Sequence, residues 1–533
     1  MCDKIQFSIQ DLYKTLRRHD KDILKHFDDD ELSDYDYLFY ALNGDIVSNA
    51  LSIVINILIG NEQTVGIDNN ARAILESFVV LKMLGCGEIS ETQQKIFRKQ
   101  YVLVDYENFK KHIKNEKDHP LFVELKKKRD EAEEFLCQRF GCNKKELHNA
   151  FCDDPLFYLK KHLKESICFA SLLAKYPIYN EQDFKMYDFY SIMVHPKFIP
   201  FDLAEPLYNL RKHFNQLILD YVVTYLQESK LIILDDKSPT FDDDFFNNPL
   251  LVNNVKNIEQ IGTMFDMLET DLCFLKDGIN EFDLFFFEFL KHLIKDMMLC
   301  ESLGYNEQVI SKFKSFIELA SVHAKINCAE TLDDFDALRK AFCFTTKLQL
   351  NEHLKSTELG KISIELSELR NLYDHYYKNK FNLSSYEEFE KGMRMNSLYF
   401  LDPNHAKSYT VHVKNAINEL FPEKPSKKQP FRAELFDLYK LSKDVNHASG
   451  YNFNSTKGIF DFHVHYVMHA VYIWLINLII NARLVVEEND HETIYVERIV
   501  NNLEMLAGFE KQSMEKIGKD YQEDYNKHCN HET

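Results

Sequence analysis

Between Asn69 and Lys82 the residues Ala71, Ile74, Leu75, Phe78 and Val79 fall at i, i+3, i+4, i+7 and i+8, which places them on one face of an α-helix. That face is expected to pack inward. Comparable apolar recurrence runs through Leu125–Phe140, Asp202–Glu228, Phe282–Met298, Lys361–Asn379 and Asp461–Val486, most of them set between polar or glycine-containing breaks. Long alternating β-branched runs, the mark of half-buried strands, are absent. The pattern predicts an all-α protein. Leu231–Pro249 interrupts it with aspartates, asparagines and two prolines, whose charge and backbone chemistry oppose a continuous helix. The expected organisation is therefore two tandem helical-bundle domains, 1–230 and 256–490, joined by an acidic linker at 231–255 and followed by a helical extension or tail at 491–533.

Composition supports the helical reading. Glycine (15) and proline (12) make up about 5% of the 533 residues, against about 12% in an average chain, so turn formers are scarce. With 64 Lys and Arg against 84 Asp and Glu, the formal charge is −20, which excludes a globally basic nucleic-acid coat. The 11 cysteines are scattered, and the chain opens Met1-Cys2-Asp3-Lys4 without the apolar stretch of a signal peptide, so a reduced cytoplasmic setting is expected. The most apolar segments, Ala50–Gly60 and Ala470–Ile480, are shorter than the roughly 18–20 residues of a spanning helix, and no membrane partner is expected.

The two halves share short motifs. Ala71-Arg72-Ala73-Ile74-Leu75-Glu76 is matched by Phe313-Lys314-Ser315-Phe316-Ile317-Glu318, a basic residue followed four positions later by glutamate, at an offset of 242. Each follows an apolar helix and a polar break carrying Asn-Glu-Gln, at Asn61–Gln63 and at Asn306–Gln308. Further on, Tyr187, Ser191, Val194 and His195 pair with Tyr439, Ser442, Val445 and His447; the tyrosine and histidine offsets are 252 and the serine offset is 251.

At these residues the chain resembles a bacterial family of uncharacterised helical domains that carry an Arg-x3-Glu helix and, later, Tyr-x2-Leu-Ser-x2-Val-His. The resemblance spans residues 30–230 and 260–485. The first half is the closer copy, with Tyr190 where leucine is usual; the second carries Lys314 for arginine and inserts Asn446 before His447. Lysine does not reproduce the bidentate geometry of arginine. The resemblance implies a prophage or anti-phage setting. Read from the residues alone, Arg72, Glu76, His195, Glu318 and His447 serve either as a buried polar brace between helices or as a catalytic or ligand site in which histidine transfers protons and glutamate orients it. A helix through Tyr187, Ser191 and His195 would set these three along one stripe.

A separate signal is Arg370-Asn371-Leu372-Tyr373-Asp374-His375-Tyr376-Tyr377. It resembles the Arg-x4-His motif of HEPN helical domains, including the asparagine after arginine and the tyrosine two residues beyond histidine. That resemblance implies metal-independent RNA cleavage at a site shared by two chains, with Arg370 stabilising phosphate charge, His375 moving a proton and Asn371 in support. RNA and a second copy of the chain are the partners it implies. On an ideal α-helix the arginine and histidine sit about 140° apart, so a helix end, a distortion or dimerisation is needed to bring them together. The other reading is a charged helix surface with an aromatic core edge.

Cys137, Cys142, His148 and Cys152 have the spacing of a loosened zinc knuckle, but Phe135, Leu136 and Phe140 give them core-like neighbours, and burial as small apolar groups is the expectation. Asp461, His465 and His469 form an i, i+4, i+8 stripe with His463 nearby, read as capping or core packing. No metal or cofactor is expected: no phosphate loop, dinucleotide turn or nucleophile elbow is present. Basic clusters at Lys126–Arg129, Lys160–Lys164 and Lys424–Lys428 read as solvated surface. Two functions remain open on sequence: a cytosolic helical effector acting on RNA in phage defence or growth arrest, and a non-catalytic sensor or scaffold that binds a ligand or protein.

Overall fold

The computed structural model describes residues 9–27, 33–85, 120–151, 182–195, 201–228, 281–302, 305–327, 331–354 and 364–404 as continuous stretches, with scattered residues between and after them. Among the described residues 86% are helical and none lies in a strand. The chain is all-α. Its helices are α1 (Ile9–Phe27), α2 (Asp34–Leu58), α3 (Val65–Gly85), α4 (Pro120–Phe140), α5 (Lys144–Phe151), α6 (Gln182–Met193), α7 (Phe201–Glu228), α8 (Glu281–Ser302), α9 (Asn306–Asn327), α10 (Leu332–His353), α11 (Leu366–Leu372) and α12 (Tyr386–Met395). The proposed linker lies outside the described residues.

Local chemistry sets several helix ends. Ser33, Thr331 and Ser385 each accept a bond from the backbone N–H three residues on, at 3.1, 3.1 and 3.0 Å, satisfying one of the donors a helix start leaves open. Gly60 and Gly141 sit at φ 71° and 62° after α2 and α4, where a side chain would be strained.

One main core contains buried residues from both halves, running from Leu12 through Phe282 to Trp474. Phe198 of the first half packs on Phe282, Phe285 and Phe342 of the second at centroid distances of 5.8, 5.1 and 6.1 Å. Helix α3 contacts α8 and α9 directly. A smaller cluster of Ile96, Leu103, Ala132, Leu136 and Leu147 lies under α4 and α5. Helix α2 changes the membrane reading: it is long and apolar enough to cross a bilayer, with a window of mean hydropathy 1.4, longer than the apolar run the sequence suggested. In this fold 89% of that window is buried against neighbouring helices, the place of a central core helix.

Candidate functional site

The duplicated carboxylates are both buried, Glu76 fully and Glu318 at 1% exposure. Each accepts a hydrogen bond of 3.1 Å from the tyrosine of its own half, Glu76 from Tyr187 and Glu318 from Tyr439. Arg72 donates its Nε–H to the same Glu76 oxygen at 3.1 Å and lies over the Tyr187 ring, 5.7 Å from its centroid. Burial alone would lower the Arg72 pKa, but Tyr187 and Glu76 outweigh it and hold the guanidinium charged.

His195 departs from its expected stripe. Helix α6 stops at Met193, and His195 stands in the turn beyond it, where the proline that follows in sequence disfavours helical backbone. Released from the helix, its ring crosses to the other half and places Nδ1 3.3 Å from Glu318 Oε2. Burial pulls the His195 pKa down, Lys314 adds to the effect, and the net value is about 4. Glu318 is held below the usual carboxylate range, because Lys314, His195 and Tyr439 together outweigh the cost of its burial. An ionised Glu318 only accepts, so Nδ1 carries the proton and the imidazole is neutral at pH 7. Lys197, which the sequence did not single out, lies buried two residues on, donates to Ser397 at 2.7 Å, and is lowered by burial to about 7. His447 lies outside the described residues.

A second buried network, unanticipated from sequence, joins the halves. Lys312 and Asp296, both with fully buried side chains, form an ion pair of 3.1 Å. Lys312 also donates to Ser52 at 3.1 Å and to Cys300 at 3.2 Å, while Asp296 accepts from Asn56 at 2.8 Å and Thr64 at 3.2 Å. Gly66 makes room for it: a Cβ there would lie 1.9 Å from Asp296 Oδ2 and 2.5 Å from Lys312 Cε. Nearby, Arg211 holds Asp68 through two bonds of 2.9 and 2.8 Å.

Arg370, Asn371 and His375 stand apart from this, exposed on the second half. The helix widens where the motif lies: Tyr373–Tyr377 is a π turn, closed by Lys378 N–H on the Tyr373 carbonyl five residues back. The buried hydroxyls of Tyr373 and Tyr377 anchor it from within, donating to the Leu383 and Phe400 carbonyls at 3.1 and 2.7 Å. A π turn brings residues five apart nearer to one face than an α-helix does. Arg370 stacks over Tyr386, 5.1 Å from its centroid, and His375 Nδ1 lies 2.8 Å from the Asn371 carbonyl oxygen. No hydrogen bond or ion pair joins Arg370 to His375 within the chain. Because a carbonyl only accepts, Nδ1–H is the donor of that bond, and Nε2 of this exposed residue takes no part in it.

Among the described residues no group of three or more His, Cys, Asp or Glu is arranged to hold a metal ion. Cys137 and Cys142 are near neighbours at the end of α4, while the His148 side chain and Cys152 lie outside what is described, as do Asp461, His463, His465 and His469. Lys126, Lys127 and Lys128 are exposed on α4. No family model, curated protein or solved structure matches this chain.

Proposed function

We propose that the chain is a cytosolic helical effector that cleaves RNA without a metal, with Arg370 and His375 as its chemistry and Asn371 as the backbone support of the histidine. The observation that carries this reading is the bond from His375 Nδ1 to the Asn371 carbonyl, which orients the ring and leaves Nε2 out of that bond, on the exposed segment that also carries exposed Arg370. In the reaction, Nε2 takes the proton of a ribose 2′-hydroxyl as its oxygen attacks the adjacent phosphate; the P–O5′ bond breaks, the 5′-oxygen leaves as a hydroxyl after taking a proton from water, and a 2′,3′-cyclic phosphate forms. Arg370 donates to the phosphate oxygens as charge grows on them. The setting in phage defence or growth arrest, and the homodimer, rest on the family resemblances alone.

A second reading, the non-catalytic sensor or scaffold, is favoured by the other motif set. Glu76, Glu318, Arg72 and His195 spend their hydrogen bonds inside the protein, as braces do.

One experiment separates the readings. The full chain is incubated with mixed cellular RNA, with and without EDTA, beside the His375→Ala, Arg370→Ala and His447→Ala variants. Cleavage that survives chelation and falls about 10²-fold or more in His375→Ala, with a similar loss in Arg370→Ala, is the expected result. Loss confined to His447→Ala moves the chemistry to the duplicated motif, and absence of cleavage by every form favours the scaffold.

A further inference from the structure

The turn between α4 and α5 is closed by backbone and side-chain hydrogen bonds around two cysteines. Helix α4 ends in a Schellman motif: Gly141 takes the left-handed conformation at φ 62°, and Cys142 N–H bonds the Cys137 carbonyl, five residues back, at 3.2 Å. This motif commonly brings together the side chains at the positions that Cys137 and Cys142 occupy, and both cysteines pack against the same small apolar cluster. The next residue closes a reciprocal cap on α5. Asn143 N–H bonds Glu146 Oε2 and Glu146 N–H bonds Asn143 Oδ1, both at 3.0 Å. Cys142 is thus fixed between two ordered helix termini.

The pair is also reachable. Both thiols are half-buried and both line one cavity of about 700 Å³, together with Lys126, Lys127, Asp130 and Lys144. Cys300 is the contrast within the same chain: it is 1% exposed, and burial pushes its thiol up to about 12. Burial and the neighbouring Cys142 thiol also raise Cys137, with Lys144 opposing them, so its thiolate gains population as pH rises.

We propose that Cys137 and Cys142 form a redox-modifiable dithiol site that a hydroperoxide closes to an intramolecular disulfide. One thiolate attacks the peroxide, breaking its O–O bond, taking one oxygen as a sulfenic acid and releasing water or an alcohol. The second thiol attacks that sulfur, forming the S–S bond and expelling water. Two thiols are oxidised by two electrons and one hydroperoxide is reduced. In a reducing compartment the bond is reversible and serves as a transient mark. The proposal stands independently of the RNA chemistry at Arg370 and His375.

The test uses the full reduced chain, freed of reductant, exposed to hydrogen peroxide at about pH 8.5, trapped by alkylation and digested for mass spectrometry. It is read on protein in which Cys300 resists alkylation until denaturation. The expected product is a peptide carrying both Cys137 and Cys142, unalkylated and lighter by two hydrogen atoms, which regains two alkylation sites after dithiothreitol. Cys137→Ser and Cys142→Ser each abolish that product. The proposal is overturned if both cysteines stay alkylatable while Cys343 oxidises, if either passes to sulfinic acid without linking, or if either pairs with another cysteine.

Discussion

Two regions of this molecule use the same residue types in opposite ways. At the seam between the halves, Asp296, Lys312, Glu76, Glu318 and His195 are buried or half-buried, and their polar atoms are directed at other parts of the chain. On the α11–α12 face, Arg370 and His375 are exposed, and among the described residues the Asn371 carbonyl and the Tyr386 ring are what hold them. The difference teaches that a charged motif is not informative until its surroundings are known. Histidine at the seam is held neutral against a carboxylate, whereas histidine on the outer face is oriented by a backbone group and left open to solvent. The first arrangement ties residues of the two halves to one another; the second leaves charged and polar side chains exposed.

The sharpest way to break this comparison is at the seam, where the largest losses are expected. Asp296→Ala leaves Lys312 charged and buried without its carboxylate, which should cost about 3–5 kcal/mol in a chemical-denaturation midpoint. Pairing it with Lys312→Met should recover much of that loss, because the stranded charge is then gone. If the single substitution is nearly neutral, the ion pair does not organise the interface. Gly66→Ala drives a methyl group into Asp296 and Lys312 and should cost about 1–3 kcal/mol. That penalty should shrink in the Asp296→Ala background, since the wall it meets has been removed.

Acid gives a second handle on the seam. His195 has a folded pKa of about 4 against an ordinary 6.5, so the unfolded chain binds its proton more readily. Its contribution is therefore intact above pH 6.5 and is lost as pH falls from 6.5 toward 4, on the order of 3 kcal/mol at most. Denaturation midpoints across that window should flatten in His195→Ala. An unchanged slope would mean that the imidazole is not held neutral. Tyr187→Phe and Tyr439→Phe test the correspondence between halves: each removes a donor from a buried glutamate, and each should cost about 1–3 kcal/mol. A large loss in one and none in the other would show that only one of the two pairs braces the fold.

Much of the helical layout was legible in the chain. The periodicity at Asn69–Lys82 lies within α3, and Asp202–Glu228 and Phe282–Met298 lie within α7 and α8, because a repeated apolar face records directly which side is buried. The seam was less legible. Asp296 lies three residues after Leu293 and four before Cys300, inside an apolar stripe, and that misplaced charge was the available signal. Its meaning depends on Lys312 and Asn56, brought close only by the fold. His195 illustrates the same gap: its spacing from Tyr187 suits a continuing helix, whereas the helix ends first and the side chain turns to Glu318. At Arg370 and His375 the sequence showed that an ideal helix separates the pair, and the π turn that alters their spacing depends on tertiary anchors from Tyr373 and Tyr377.

The smallest expected effect belongs to the outer face. His375 is exposed and makes one hydrogen bond, to its own helix, so His375→Ala should move the denaturation midpoint by no more than about 0.5 kcal/mol. The same measurement on Tyr377→Phe, which strips the buried donor from the Phe400 carbonyl, should show the larger loss of about 1–3 kcal/mol. This ordering separates the residue that faces solvent from the one that holds the turn beneath it. A His375→Ala loss comparable to that of Tyr377→Phe would make the histidine part of the turn's own structure, and the outer face would then belong with the seam.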